Sequence, residues 1–578
     1  MEDVTKEQLS GPKIDRRTTL KLLSAGGFTG LSVGMSGCLG DEDDTEETDD
    51  QDPADPDDRA GGQITAGVLG DTVDFLDPHL VGSSREIRVH ANIFNGITKL
   101  NQDAELVGDL ASDWTVPDDT TYVFEIEEGV TFHNGDPLGP EEIVWSIERL
   151  LDFEESQHRG KVENIEEMVV DDQELTIHLE EPQAPFIIFL TAAMGRSGAI
   201  VHESAEEDRD AYNEMPIGSG PFEIVDRVRG ESITLEAYDD YWETDDNGNQ
   251  LPYLDRIELE MVPEPSTMWS AVETGQLDFT HEITGEFGQQ AQNVDGLTVD
   301  SASTGQWTAM RMITKNPADH PEYAQAATRG TIDELPDYDE IPTSDIRVRQ
   351  AVAAAIDREQ LVNTGFFGFA LPAHQLYNPV QFMYEEEPDP GHYHNPERAE
   401  ELLEEAGYAD GFEAELVSLP IYERMATVIQ ENLSQVGIDI TIDFREPSIY
   451  WGSDGIRGYD TLFGIARGSS DIDPWMSYWR QLGSNHEISG KGDSTFGDEK
   501  HNLWNNDEFD DLIIEDSVTA DPERRRELLS EAMEIFIDES PFAMLVFPTP
   551  PVIRRERLQD VGIQSGVREY LHAYVTGE

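Results

Sequence analysis

Cysteine is all but absent: Cys38 stands alone among 578 residues, which excludes intramolecular disulfides and any zinc site built from several thiolates. Basic residues are scarce too. Against 121 Asp and Glu there are 38 Lys and Arg, a net charge of -83. A chain so poor in cations has no stripe with which to displace counterions from phosphates, so nucleic acid is excluded as a partner. The mildly apolar stretch from Leu22 to Met35 is too short and too Gly-rich for a spanning helix. Short internal repeats are missing as well.

What the chain has in abundance is acid, spread along its whole length rather than gathered in one tail. In ordinary buffer such self-repulsion strains the compact state. In molar salt the Debye length falls to about 3 Å and the same charges solvate the surface, so the composition is that expected of a halophile. Hydrophobic residues make up 38% and recur with helix and strand periods, which predicts a large folded body of several parts.

The N-terminus carries an address. Arg16 and Arg17, within Asp15-Arg16-Arg17-Thr18-Thr19-Leu20-Lys21, precede the weakly apolar stretch, the pattern of a twin-arginine export signal read by a translocase that passes folded proteins. Met35-Ser36-Gly37-Cys38 closes it in the pattern of a lipobox, in which Cys38 takes a lipid. A lone cysteine is more often a buried small hydrophobe, but its place at the end of a signal-like run points to an anchor. Residues 1–37 are therefore read as signal and 38–60 as a disordered acidic tether, where like charges repel and Pro53 and Pro56 block helix. The expected location is the outer face of the cytoplasmic membrane.

Beyond Gly61 the pattern is α/β. Ile64, Ala66 and Val68 alternate as in a strand, as do Tyr122, Phe124 and Ile126, and His133-Asn134-Gly135-Asp136 makes a tight turn. A helix follows from Glu141, with Ile143, Val144, Ile147 and Leu150 on one face. Asp345 is expected to cap a helix closed by Gly365, and Asn395, with Pro396 behind it, to cap one stopped by Gly407. Met425 to Val436 reads as a helix and Ile438 to Phe444 as the strand after it, the second half of a crossover. Asp521-Pro522 opens a last helix that ends before Pro541.

Six groups of residues occur in the order found in one family. They are Val130-Thr131-Phe132-His133-Asn134-Gly135-Asp136-Pro137-Leu138; Gly218-Ser219-Gly220-Pro221-Phe222; Tyr241-Trp242 with Pro252-Tyr253-Leu254; Asp345-Ile346-Arg347-Val348-Arg349-Gln350-Ala351; Asn395-Pro396-Glu397-Arg398-Ala399; and Asn506-Asp507-Glu508-Phe509-Asp510. Together they resemble the extracytoplasmic solute-binding proteins of family 5, the dipeptide, oligopeptide and nickel-binding components of ABC importers, here in the form of a haloarchaeal lipoprotein. The resemblance implies an α/β, two-lobed fold of the type II periplasmic-binding-protein kind with an extra domain inserted in the first lobe. Residues 61–95, 203–305 and 541–578 would form lobe I, 96–202 the inserted domain and 306–540 lobe II. It implies a ligand held between closing lobes, an ABC permease with its ATPase subunits as partners, a monomer, no cofactor, no resident metal and no catalysis. Most of the shared residues have scaffold explanations: Gly218 and Gly220 for unusual backbone angles, Asn395 as a cap, Arg347 and Arg349 in pairs with carboxylates.

Ligand chemistry is expected in Phe463-Gly464-Ile465-Ala466-Arg467-Gly468-Ser469-Ser470-Asp471-Ile472-Asp473-Pro474-Trp475. Peptide-binding members of the family carry here a tryptophan, an aspartate for the ligand ammonium and then Asp-Pro. In this chain Ile465 stands for the tryptophan and Ser470 for the aspartate, with Asp471 one residue away. Trp307, Ser470, Asp471, Asp473 and Trp475 are the candidate ligand contacts, for a short peptide or, through flat aromatic faces, an oligosaccharide. An exported hydrolase is the rival of another class, but Gly30-Leu31-Ser32-Val33-Gly34 falls in the signal with no strand before it. His392 and His394 lack the partner glutamate of a zinc protease, and Asp245, Asp246, Asn247 and Asn249 are out of register for a calcium loop.

Overall fold

The computed structural model of the protein describes residue 59 and residues 61–576 apart from 81–83, 103–104, 157, 194–196, 282, 321–334, 389–390, 451–455, 457–458, 469–472, 474–481, 483–502 and 564–566. Arg16, Arg17, Cys38 and all of the expected tether but residue 59 lie outside the described residues. Among the described residues no helix is long and apolar enough to cross a membrane.

The alternation at Ile64, Ala66 and Val68 makes strand β1 (Gln63–Leu69), with those three side chains buried. After helix α1 (Ser84–Ile93) the chain leaves to build a separate antiparallel sheet from β2 (Ala111–Asp118), β3 (Thr121–Ile126), β4 (Ile165–Asp171) and β5 (Glu174–Leu179), in the order β2-β3-β5-β4. Helix α2 (Pro140–Asp152) lies between β3 and β4 in sequence. Its stripe of Ile143, Ile147 and Leu150 shares one core with Phe124, Ile126, Leu175 and Ile177. This inserted domain is locked to the first lobe by buried charge: Arg568 meets Asp109 at 2.5 Å, and Arg149 meets Asp77 at 2.6 Å.

The chain returns with β6 (Phe222–Val228), β7 (Ser232–Ala237), β8 (Arg256–Val262), helix α3 (Pro265–Thr274), β9 (Phe279–Thr280) and β10 (Leu297–Ser301). It then crosses through 302–306 into the second lobe. There it forms β11 (Trp307–Met312), α4 (Ile346–Ala355), β12 (Ala370–Pro372), α5 (Pro396–Ala406) and β13 (Phe412–Ser418). The rest of that lobe is α6 (Glu423–Gln435), β14 (Ile438–Phe444), β15 (Phe463–Gly468), α7 (Asp507–Ser517), α8 (Pro522–Glu539) and β16 (Phe542–Pro548). The second sheet runs β12-β16-β11-β15-β13-β14. The chain crosses back through 549–550 and finishes the first sheet with β17 (Pro551–Arg555), giving β10-β17-β9-β1-β8-β7-β6.

Three expectations are corrected. The chain does not rejoin the first sheet at 541. Phe542, Ala543, Met544, Leu545, Val546 and Phe547 are each at most 1% exposed, and an unbroken apolar strand of this kind needs cover on both faces; paired between β11 and β12, it puts Ala543 and Leu545 into one core of the second lobe and Phe542, Met544 and Phe547 into another. The helix capped by Asp345 stops at Ala355 rather than at Gly365, because Asp357 starts a new turn: its carboxylate takes the Gln360 N–H at 3.0 Å, and its own N–H goes to Asn432 at 2.8 Å. Gly218 and Gly220 do not adopt left-handed angles. They are glycines for closeness, since an added Cβ would fall 2.1 Å from the Ile93 carbonyl oxygen at Gly218 and 2.6 Å from the Ile93 carbonyl carbon at Gly220.

Candidate ligand cleft

The strand registers show which edges of the two sheets meet. In the first sheet β1 runs parallel to β8 and β9. β17 runs antiparallel to β9 with Ile553 opposite Thr280, and β10 runs antiparallel to β17 with Ser301 opposite Pro551. The end of β10 and the start of β17 therefore lie at the carboxyl edge of the parallel strands. In the second sheet β13 runs parallel to β14 and β15, Trp307 at the start of β11 pairs with Gly468 at the end of β15, and Val546 of β16 lies opposite Thr308. Both crossing segments thus run from the carboxyl edge of one sheet to that of the other. The crevice outside the carboxyl ends of strands is where open α/β sheets hold ligands.

Trp307 sits at this edge, 2% exposed, with its ring edge-on to Phe542 at 6.0 Å. Gly468 makes the room for it: a Cβ there would lie 2.0 Å from the indole Nε1. Among the described residues that buried N–H has no hydrogen-bond acceptor. Asp473 is 3% exposed, and both of its oxygens face Arg525, at 2.9 and 3.1 Å. Arg525, on α8, also donates to both oxygens of Asp516 on α7, at 2.8 and 3.0 Å. Burial alone would lower the Arg525 pKa, but the charge of Asp473 and the bonds to Asp516 hold it above the ordinary value. Burial pushes the Asp516 carboxyl up to about 6, with Arg525 opposing and Asp473 adding to the rise. Ser470, Asp471 and Trp475 lie outside the described residues.

A second charged group stands at the carboxyl end of β9. His281 Nδ1 is 2.6 Å from Arg88 Nη1, and its Nε2 is 2.9 Å from the buried Glu569. Arginine can only donate, so Nδ1 carries a lone pair and Nε2 the proton, which it gives to the Tyr570 hydroxyl at 3.0 Å. Sequence reasoning found neither this group nor Arg525, because the partners are 193 and 52 residues apart and acid is everywhere along the chain.

The lobes touch near the crossings and again farther out. Gln289 donates to the Phe367 carbonyl at 3.0 Å, and Arg424 faces Glu286 at 3.7 Å. At the inserted domain, the Ala184 N–H donates to the Ser517 carbonyl at 2.8 Å. The Asp245 turn satisfies itself: the carboxylate accepts the N–H groups of Asn247 and Asn249 and the hydroxyl of Tyr253. Among the described residues no cluster of three or more His, Cys, Asp or Glu is placed to hold a metal ion.

Comparison with known proteins agrees with this geometry. Residues 105–488 match the model of the bacterial extracellular solute-binding proteins, family 5 middle region. The glutathione-binding protein GsiB of Salmonella paratyphi A is 25% identical over 495 residues, covering 83% of this chain and 88% of that protein. The oligopeptide-binding protein OppA of Bacillus subtilis is 24% identical over 526 residues, covering 84% and 88%. Among solved structures, the ABC transporter-associated periplasmic binding protein DppA of Helicobacter pylori, in complex with the peptide STSA, superposes with a TM-score of 0.69 at 22% identity, covering 90% of this chain and 99% of that one. With a family match over most of its length, a two-lobed body and a cleft at the facing strand edges, the chain belongs to the family 5 extracellular solute-binding proteins.

Proposed function

We propose that this protein captures short peptides outside the membrane and delivers them to an ABC permease and its ATPase subunits, without chemical change to the ligand. The observation that carries the reading is the meeting of two carboxyl strand edges across a pair of short crossings, an arrangement suited to closing over a small solute. The relatives named for oligopeptide and glutathione binding point to peptide-like ligands. Trp307, Ser470, Asp471 and Trp475 are the contacts we assign, with Asp473 behind them on Arg525. The buried indole N–H of Trp307 meets no acceptor among the described residues, and leaving such a group unpaired is costly; on this reading a ligand carbonyl or carboxylate oxygen supplies it. Export through the twin-arginine translocase, a lipid on Cys38 and a life in molar salt complete the proposal.

The test is mass spectrometry of the molecule retained by protein purified in molar KCl from its own host. A mixture of short peptides supports the reading, and a retained sugar overturns the peptide assignment in favour of an oligosaccharide. Protein recovered empty is titrated calorimetrically with a di- and tripeptide pool, where absence of heat overturns it as well. Trp307→Phe, which keeps the ring and removes the N–H, is expected to weaken binding by roughly fivefold to tenfold.

A further inference from the structure

The bond between Ala184 and Ser517 joins two bodies that must separate for a solute to enter. Ala184 belongs to the inserted domain and follows Gln183, whose carbonyl accepts the Tyr122 hydroxyl at 3.3 Å. Ser517 is the last residue of α7. Its neighbour Asp516 is fully buried and gives both oxygens to Arg525, which grips Asp473 with its remaining donors. Asp473 comes five residues after Gly468, the end of β15 at the cleft edge. One guanidinium therefore ties Asp473 to the helix end that receives the inserted domain. The Arg525 charge also reaches across the boundary, where it opposes the upward shift of the Tyr122 hydroxyl on β3.

We propose that Arg525 is a positioning residue: by holding Asp473 and Asp516 together it fixes the Ser517 carbonyl where the inserted domain docks, and so supports closure of the lobes. This rests on the reading of the cleft as a ligand trap. The physical case is one of screening. In molar salt an exposed ion pair is worth little, because counterions sit within about 3 Å. A buried triad excludes those counterions, and a backbone hydrogen bond carries no net charge to screen, so a closing contact built from these two keeps its strength in brine. Removing one member of such a triad leaves an unpaired buried charge, which forces local rearrangement.

The experiment measures the distance between the inserted domain and the second lobe in the full chain in molar KCl without added ligand. Spin labels at Glu167→Cys and Glu527→Cys, both exposed positions, are placed in a Cys38→Ser background that leaves no other thiol. The distance distribution of the parent is expected to contain a short component. Arg525→Met should reduce the ratio of short to long component by roughly fivefold or more, the factor carried by a lost hydrogen bond, and Arg525→Lys should restore part of it. Ala184→Pro removes the docking N–H without touching the triad, at a position where proline suits the turn closed by the Phe186 N–H and the Gln183 carbonyl; it should lengthen the distance likewise. An unchanged distribution in a folded Arg525→Met variant overturns the proposal, even if its unfolding midpoint falls, since that is what a merely structural residue does. If Arg525→Met does not fold, Ala184→Pro decides: a lengthened distance supports the docking contact and an unchanged one overturns it. Because no ligand is present, failure of the peptide assignment leaves this readout intact.

Discussion

His133 shows how a family-like motif is held together by a single proton. Its Nε2 lies 3.0 Å from the Gly220 carbonyl and its Nδ1 3.3 Å from the Gly218 N–H, so the neutral ring donates at one end and accepts at the other. Burial pushes its pKa down to about 4. The folded pKa is below the ordinary value of about 6.5, so this stabilisation is fully present above the unfolded pKa and lost as the pH falls through about 4. Denaturant titrations in molar KCl between neutral pH and pH 4 should show that loss, and His133→Gln should flatten it. Asp516 has the opposite sign. Its folded pKa is raised to about 6, so its contribution is present below the unfolded value near about 3.9 and lost as the pH rises through about 6; the difference between parent and Asp516→Asn across that window checks it. At the cleft edge, Gly468→Ala would drive a methyl into the Trp307 indole, 2.0 Å away. We expect a loss of roughly 1–3 kcal/mol, and a double variant with Trp307→Ala no less stable than Trp307→Ala alone.

The elements most legible in the sequence are those whose signals are local. Asn395 caps α5 by accepting the Arg398 N–H at 3.1 Å, Pro396 fills the first turn, and Gly407 ends it at φ 93°. Asn395→Ala should cost about 1 kcal/mol, read from the unfolding midpoint. Asp521 does the same for α8 through the Arg524 N–H. What the sequence hid is long-range. Arg525 stands in Arg524-Arg525-Arg526, and only the fold separates Arg524, on exposed Glu515 and Glu527, from Arg525, in a buried triad. With 121 acidic residues to choose from, nothing in the order of residues marks Asp473 and Asp516 as the two that share the buried Arg525. Placing 541–578 wholly in lobe I fails at Phe542–Pro548 for a related reason: a uniformly apolar run says that both faces are covered, not which sheet it joins.

Beneath an acidic surface the molecule keeps three arginine–carboxylate groups inside. Arg149 with Asp77, Arg568 with Asp109 and Arg525 with Asp473 and Asp516 are buried, while a net charge of -83 repels across the outside. Salt screens the repulsion far more than the buried pairs. The thermal midpoint is therefore expected to rise steeply as KCl goes from tenths molar to several molar, as followed by circular dichroism. A midpoint that does not move with salt would mean that the surface acids impose no net strain.

The two crossings, 302–306 and 549–550, begin from paired positions, Ser301 opposite Pro551, so they lie side by side like the plies of a strap. A strap bends easily across its width and resists twisting and sideways shear. In the closure proposed above, the swing of one lobe against the other would thereby be confined to nearly a single arc, and the inserted domain would meet the end of α7 in the same alignment each time. Lengthening one ply alone should turn that bend into a twist and misalign the closing faces.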